Sequence, residues 1–76
     1  MLDLFMLETC PYCKKVMNYM DEHNIKYRKI DISNKASEES LINIGGKRQV
    51  PFLVDHDRNL QMYESNDIIE YVKTLQ

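Results

Sequence analysis

Leu2-Asp3-Leu4-Phe5-Met6-Leu7-Glu8-Thr9-Cys10-Pro11-Tyr12-Cys13-Lys14-Lys15-Val16-Met17 carries an apolar run that ends, through Glu8 and Thr9, in a pair of cysteines three positions apart. The run from Leu2 to Leu7 holds one charge, Asp3, and reads as a short strand buried on both faces. From Cys13 the apolar residues recur at Val16, Met17 and Met20, the single stripe of an amphipathic helix packed on a sheet. Cys10 is thereby predicted at or beside the helix N-cap and Cys13 one turn in, with both sulfurs on the same helix edge. Pro11 suits the first helical position, where a missing N–H costs nothing.

Thiol chemistry runs through the thiolate, and a helix N-terminus offers unpaired N–H groups and about half a positive charge to hold one. Cys10 is therefore the thiol expected to be more acidic. Lys14 and Lys15 either add positive potential beside that sulfur or are plain solvated lysines. Cys-x-x-Cys is also the spelling of half a zinc site, but a structural zinc wants about four ligands. Beyond the two cysteines the chain has only His23 and His56, isolated from each other and read as surface residues. A permanent structural disulfide would close too small a loop to constrain the unfolded chain. A working redox pair is the better reading, with no metal expected.

Outward from that stretch, Asn24 is placed to end the first helix in a left-handed conformation. A second strand is expected around Lys26 to Asp31, parallel to the first, because a helical crossover joins them. A second helix is predicted from near Ser37, with Glu38 and Glu39 in its first turn, to Gly45-Gly46. Val50-Pro51-Phe52-Leu53-Val54 reads as a strand with its proline at the start. Asp55 to Asn59 forms a turn, and Leu60 to Tyr63 the second arm of a hairpin. Ser65 is taken to cap a last helix that turns Ile68, Ile69, Val72 and Leu75 to one face. The expected order is β-α-β-α-β-β-α, an α/β fold with a four-stranded mixed sheet flanked by helices. Met6, Met17, Met20 and Met62 are assigned to packing.

Seventy-six residues, 43% of them hydrophobic, are expected to form a single domain over 1–76. A formal charge of -2 gives no basic face for nucleic acid. No apolar stretch approaches the ~20 residues of a membrane span. Met1 to Leu7 lacks the basic start and longer apolar run of a signal peptide, so a cytoplasmic location is expected. In that compartment a cysteine pair is more often catalytic than structural.

Cys10-Pro11-Tyr12-Cys13 after a strand, Glu8-Thr9 before it, Val50-Pro51 before a later strand and Tyr63-Glu64-Ser65-Asn66-Asp67 at a helix start together resemble a dithiol glutaredoxin of the thioredoxin fold, over essentially the whole chain. The resemblance implies a glutathione-dependent thiol-disulfide oxidoreductase with Cys10 as nucleophile and Cys13 as resolving thiol. Glutathione would be reductant and co-substrate, and disulfide-containing or glutathionylated proteins the partners. It also implies a cis Val50-Pro51 bond facing Cys10, and glutathione contacts from Tyr12, Val50, Pro51, Ser65 and Asn66, with Asp67 meeting the glutamyl amine. The Ser65 hydroxyl either joins these contacts or caps its own helix. A monomer is the default for so small a domain.

Two positions depart from the family pattern. Leu7 stands where many glutaredoxins carry a lysine, leaving Lys14, Lys47, Arg48 or Gln49 as replacements. Tyr63-Glu64 stands where two glycines are usual, and Glu64-Ser65 resembles glutathione-transferase-like thioredoxin folds. The competing readings are a redoxin reduced by a thioredoxin-reductase-like flavoprotein, a carrier of an iron–sulfur cluster ligated through glutathione, and a redox sensor without turnover.

Overall fold

The computed structural model describes residues 1–76 and shows seven elements in the expected order: β1 (Leu2–Met6), α1 (Pro11–Glu22), β2 (Arg28–Asp31), α2 (Lys35–Gly45), β3 (Phe52–Asp55), β4 (Leu60–Met62) and α3 (Ser65–Lys73). The four strands form one mixed sheet in the order β2-β1-β3-β4. β1 runs parallel to β2, with Leu4 opposite Lys29, and antiparallel to β3, with Leu4 opposite Leu53. β3 and β4 pair antiparallel as the predicted hairpin.

All five residues of β1 are buried, as a central strand covered on both faces requires. Strand alternation sends Leu2, Leu4 and Met6 to one face, where they meet Cys13, Val16, Met17 and Met20 of α1 and Ile68 and Val72 of α3. Phe5 points the other way, into a smaller cluster with Ile32, Leu41 of α2, Phe52 and Val54. The core is thus two-sided, and the assignment of Met6, Met17 and Met20 to packing holds, with Met62 at its edge. One consequence governs the site: the end of β1 delivers Cys10 to the start of α1, on the face shared with α3.

Element boundaries differ from expectation where side chains compete for a helix start. α2 begins at Lys35 rather than near Ser37, because Asn34 caps it, its Oδ1 accepting the N–H groups of Ala36 at 2.9 Å and Ser37 at 3.3 Å. Asparagine is among the strongest caps and here satisfies two orphan donors at once. At the other end Gly46, at φ 91°, takes the left-handed position and donates its N–H to Ile42. Ser65 does not cap α3. Glu64 occupies the cap position without a side-chain bond, and Ser65 is already the first helical residue and buried. β2 starts at Arg28, two residues later than expected, and Asn24 adopts the expected left-handed φ, 56°.

Asp55 belongs to β3, where it pairs with Leu2 and Leu60, rather than to the turn. Its carboxylate is buried and accepts the N–H groups of Asp57 at 3.0 Å and Arg58 at 3.3 Å, the Arg58 guanidinium, and a short bond from the Tyr71 hydroxyl of α3. The hydrogen bond from Tyr71 outweighs the burial that would raise its pKa, and holds Asp55 below the ordinary carboxylate value. Asp3 is the second buried acid. Arg28 grips it with Nε and Nη2, each at 2.9 Å, and His56 Nε2 lies 2.8 Å away. Burial pushes Asp3 up, but the bonds from Arg28 and His56 prevail and keep it low. His23 ends α1 with its ring 4.1 Å from that of Tyr19, and both histidines are exposed, as expected, His56 as partner to a buried acid.

Candidate active site

Cys10 is the N-cap of α1, in extended backbone geometry (φ -83°, ψ 118°), and its Sγ accepts the N–H of Cys13 at 3.4 Å. Three local causes produce this arrangement. Pro11 supplies the fixed φ of the first helical position, the Cys10 carbonyl accepts the Lys14 N–H at 3.0 Å, and the Cys10 N–H closes a turn onto Leu7 at 3.1 Å. The sulfur therefore stands where a serine or aspartate oxygen usually caps a helix, facing donors that stabilise negative charge. Both cysteines are free thiols, Cys10 half-buried and Cys13 fully buried.

Burial pushes the Cys13 thiol up to about 12; the backbone of Leu7 opposes this, while the sulfur of Cys10 adds to it. Cys13 thus stays protonated at neutral pH, and the site is divided into an accessible sulfur at the helix terminus and a protected one behind it. A brief treatment with iodoacetamide at pH 7 is expected to alkylate Cys10 alone. Peptide mass spectrometry reads the outcome, and equal labelling of the two cysteines would contradict this division.

The five residues named for ligand contact, Tyr12, Val50, Pro51, Ser65 and Asn66, all line a single open cleft of about 650 Å³. Asp67 lines it too. The Val50-Pro51 bond is cis, as the resemblance implied, and Val50 packs on the same core cluster as Cys10. Ser65 and Asn66 are the first two residues of α3, whose leading N–H groups have no intrahelical partners and no side-chain cap. The structure thus assembles this half of the site from three elements far apart in sequence.

Three further residues complete the lining: Gln49, Tyr63 and Glu64. Tyr63 fills the space that glycines would leave open. Its ring lies 4.3 Å from that of Phe52, its hydroxyl donates to the Lys47 carbonyl at 2.9 Å, and the Lys47 ammonium stands 4.7 Å from the ring centroid. Gly45 has no room for a Cβ because the hydroxyl end of Tyr63 occupies that position. Leu7 packs against the cluster containing Phe5 and Phe52 and brings no charge. Of the four candidates to replace a lysine there, Lys14 is exposed and outside the cleft lining, Arg48 is paired with Glu38, Lys47 with Tyr63, and Gln49 lines the cleft, 3.4 Å from Glu64 Oε1. Lys15 Nζ donates instead to Asn66 Oδ1, at 2.7 Å. No sequence signal marks that contact, which joins residues 51 positions apart.

No three or more His, Cys, Asp or Glu side chains are grouped to hold a metal ion, and no helix is long and apolar enough to cross a membrane. The family described as "Glutathione S-transferase, N-terminal domain" matches residues 4–76. The chain belongs to this family. Its thioredoxin-like architecture is that of the glutaredoxins, and the expected β-α-β-α-β-β-α order is thereby borne out together with the family resemblance. Among curated relatives, glutaredoxin 1 of Rickettsia felis is 39% identical over 51 residues, covering 63% of this chain and 50% of its own. Prostaglandin E synthase 2 of Mus musculus is 33% identical over 75 residues, 96% of this chain but 19% of that protein. Among solved structures, glutaredoxin 2 of Salmonella typhimurium in complex with glutathione superposes with a TM-score of 0.84 at 28% identity, over 99% of this chain and 34% of that one. The chain therefore spans half the length, or less, of each of these relatives. The likeness of Glu64-Ser65 to transferase-like folds, read from two residues, agrees with this membership of the transferase N-terminal domain family.

Proposed function

We propose that this domain is a glutathione-dependent thiol-disulfide oxidoreductase of the cytosol that acts on glutathione mixed disulfides and on protein disulfides. The observation that carries the reading is the asymmetry of the two thiols: Cys10 Sγ sits in the cap position of α1, and Cys13 lies buried one turn on with its thiol pushed up to about 12. A family that includes transferases leaves the reaction open, but a free Cys-x-x-Cys pair at a helix start is equipped for sulfur exchange.

In the proposed cycle the Cys10 thiolate attacks the glutathionyl sulfur of a mixed disulfide. A Cys10–glutathione disulfide forms, and the released thiolate takes a proton from water. A second glutathione thiolate then attacks the glutathionyl sulfur, giving glutathione disulfide and returning the Cys10 thiolate. With a protein disulfide, Cys10 first links to one substrate sulfur and frees the other. Cys13 then gives up its proton and attacks Cys10 Sγ, which releases the reduced protein and leaves a Cys10–Cys13 disulfide for two glutathiones to reduce. Cys13 is buried, so its proton leaves as it attacks rather than beforehand. Glutathione would lie along the cleft, pairing with the Val50 backbone in the manner of an added strand, beside Tyr12 and Pro51. The free N–H groups of Ser65 and Asn66 would receive its glutamyl carboxylate and Asp67 its amine.

The test is turnover of a small glutathione mixed disulfide coupled to glutathione and glutathione reductase, with a thioredoxin-reductase-coupled assay beside it. Robust turnover is expected in the first only. Activity confined to the second would replace glutathione by a flavoprotein as electron donor, and conjugation of glutathione to an aryl halide without disulfide turnover would replace the oxidoreductase by a transferase.

A further inference from the structure

Lys15 rises from the second turn of α1 and reaches across to α3, where its Nζ donates to Asn66 Oδ1 at 2.7 Å. Asn66 lines the cleft as the second residue of α3. An ammonium has three donors and no acceptor, so it dictates which way the Asn66 amide turns. The carbonyl oxygen faces Lys15, and the NH2 end, which has no hydrogen-bond partner in the protein, remains available as a donor. Freed of Lys15, the amide could turn either end toward a ligand, and its oxygen would repel a carboxylate.

The charge balance of the cleft points the same way. Its lining contains two acids, Glu64 and Asp67, on either side of Ser65 and Asn66, and no lysine or arginine. A carboxylate bound at the first turn of α3 would meet both negative charges. Lys15, anchored to Asn66 from outside the lining, is a positive charge held at that end. We infer that Lys15 is a positioning and specificity residue: it fixes Asn66 as a donor and offsets the neighbouring acids, so that this end of the cleft takes a ligand terminating in a carboxylate. The inference rests on the glutathione reading, in which that group is the α-carboxylate of the γ-glutamyl residue. It leaves the sulfur chemistry at Cys10 untouched.

Calorimetric titration with glutathione, and with glutathione amidated at that α-carboxylate, tests this on the wild type, Lys15→Met, Asn66→Ala and the double variant. Lys15→Met is expected to weaken glutathione binding about threefold to fivefold at low ionic strength, the range of an exposed charge pair, and by less as salt is added. The amidated ligand should bind the wild type and Lys15→Met equally. The double variant should bind glutathione as Asn66→Ala does, because without the amide the lysine has no side chain to orient and is no longer anchored at this end of the cleft. In turnover, KM for the mixed disulfide should rise while kcat holds. An equal loss for both ligands, or additive losses in the double variant, would overturn the inference. A wild type that binds glutathione with Lys15→Met unchanged overturns it alone, whereas a wild type that binds neither ligand overturns the glutathione reading with it.

Discussion

Cys10→Ser is expected to lower turnover of every disulfide substrate by at least about a thousandfold, because the attacking thiolate is gone and a hydroxyl cannot replace it in sulfur exchange. The substitution suits the site structurally. Serine is a preferred N-cap, so it should accept the Cys13 N–H that Cys10 Sγ accepts, and α1 should start unchanged. Retained thermal stability beside lost activity would therefore locate the effect in the chemistry. Cys13→Ser separates the two exits: turnover of a glutathione mixed disulfide should persist, and catalytic reduction of a protein disulfide should fall steeply. Cys13 is fully buried in the main core cluster, so a moderate loss of stability should accompany this change. A Cys10→Ser protein with wild-type turnover would end the mechanism, and a Cys13→Ser protein that had lost both reactions would end the separation of exits.

The largest stability effect should come from a residue remote from the cysteines. Asp55→Ala removes the acceptor for the Tyr71 hydroxyl and for the N–H groups of Asp57 and Arg58, and it leaves the Tyr71 hydroxyl unpaired beneath α3. The expected cost is about 3 kcal/mol, a large share of the ~5–10 kcal/mol available to a domain of this size, and a fall in Tm of about 15 °C. Tyr71→Phe, which removes one bond and leaves the backbone donors satisfied, should cost about a third as much.

The same network fixes the sign of the acid dependence. Hydrogen bonds, that from Tyr71 foremost, depress the folded-state pKa of Asp55 below its ordinary 3.8. A depressed carboxylate adds stability that is complete above the unfolded pKa and is lost as pH falls through the folded one. Urea unfolding should thus show a gap between the wild type and Asp55→Asn that is full at pH 7 and narrows below about pH 4. Asp3, held low by Arg28 and His56, adds to the acid sensitivity of the wild type with the same sign. A gap that stayed constant from pH 7 to pH 3 would show that the charge on Asp55 contributes nothing.

How much of this could be read without coordinates differs by element. The strand, the cysteine pair and α1 were legible because their causes are local. A continuous apolar run, a Pro at the first helical position and an apolar stripe at helical spacing all act within a few residues. α2 starts two residues before the expected Ser37 because Asn34 Oδ1 bonds the N–H groups of both Ala36 and Ser37, a contact that the acidic first turn does not signal. Ser65 is the first residue of α3 rather than its cap for a different reason. Its burial on the helix face that meets the core takes it into the first turn, and Glu64 holds the cap position with no side-chain bond.

The cleft contrasts with α1 most sharply. Its residues were nameable from the family resemblance, but their assembly depends on the sheet order β2-β1-β3-β4, which brings the loop before β3 and the start of α3 beside Tyr12. The buried acids Asp3 and Asp55 read as ordinary charges in a strand and a turn. Their partners Arg28, His56 and Tyr71 are 25, 53 and 16 residues away, distances over which composition and periodicity carry no information.

Local chemistry along the chain therefore determined the element order, the identity of the two thiols and which of them caps a helix, because capping, φ restriction and amphipathic spacing are settled within a turn or two. Burial and long-range pairing belong to the fold alone. Only there is Cys13 removed from water and its thiol raised, Tyr63 stacked into the space above Gly45, and Lys15 joined to Asn66, because desolvation and charge pairing depend on which surfaces meet once the sheet has closed against its helices.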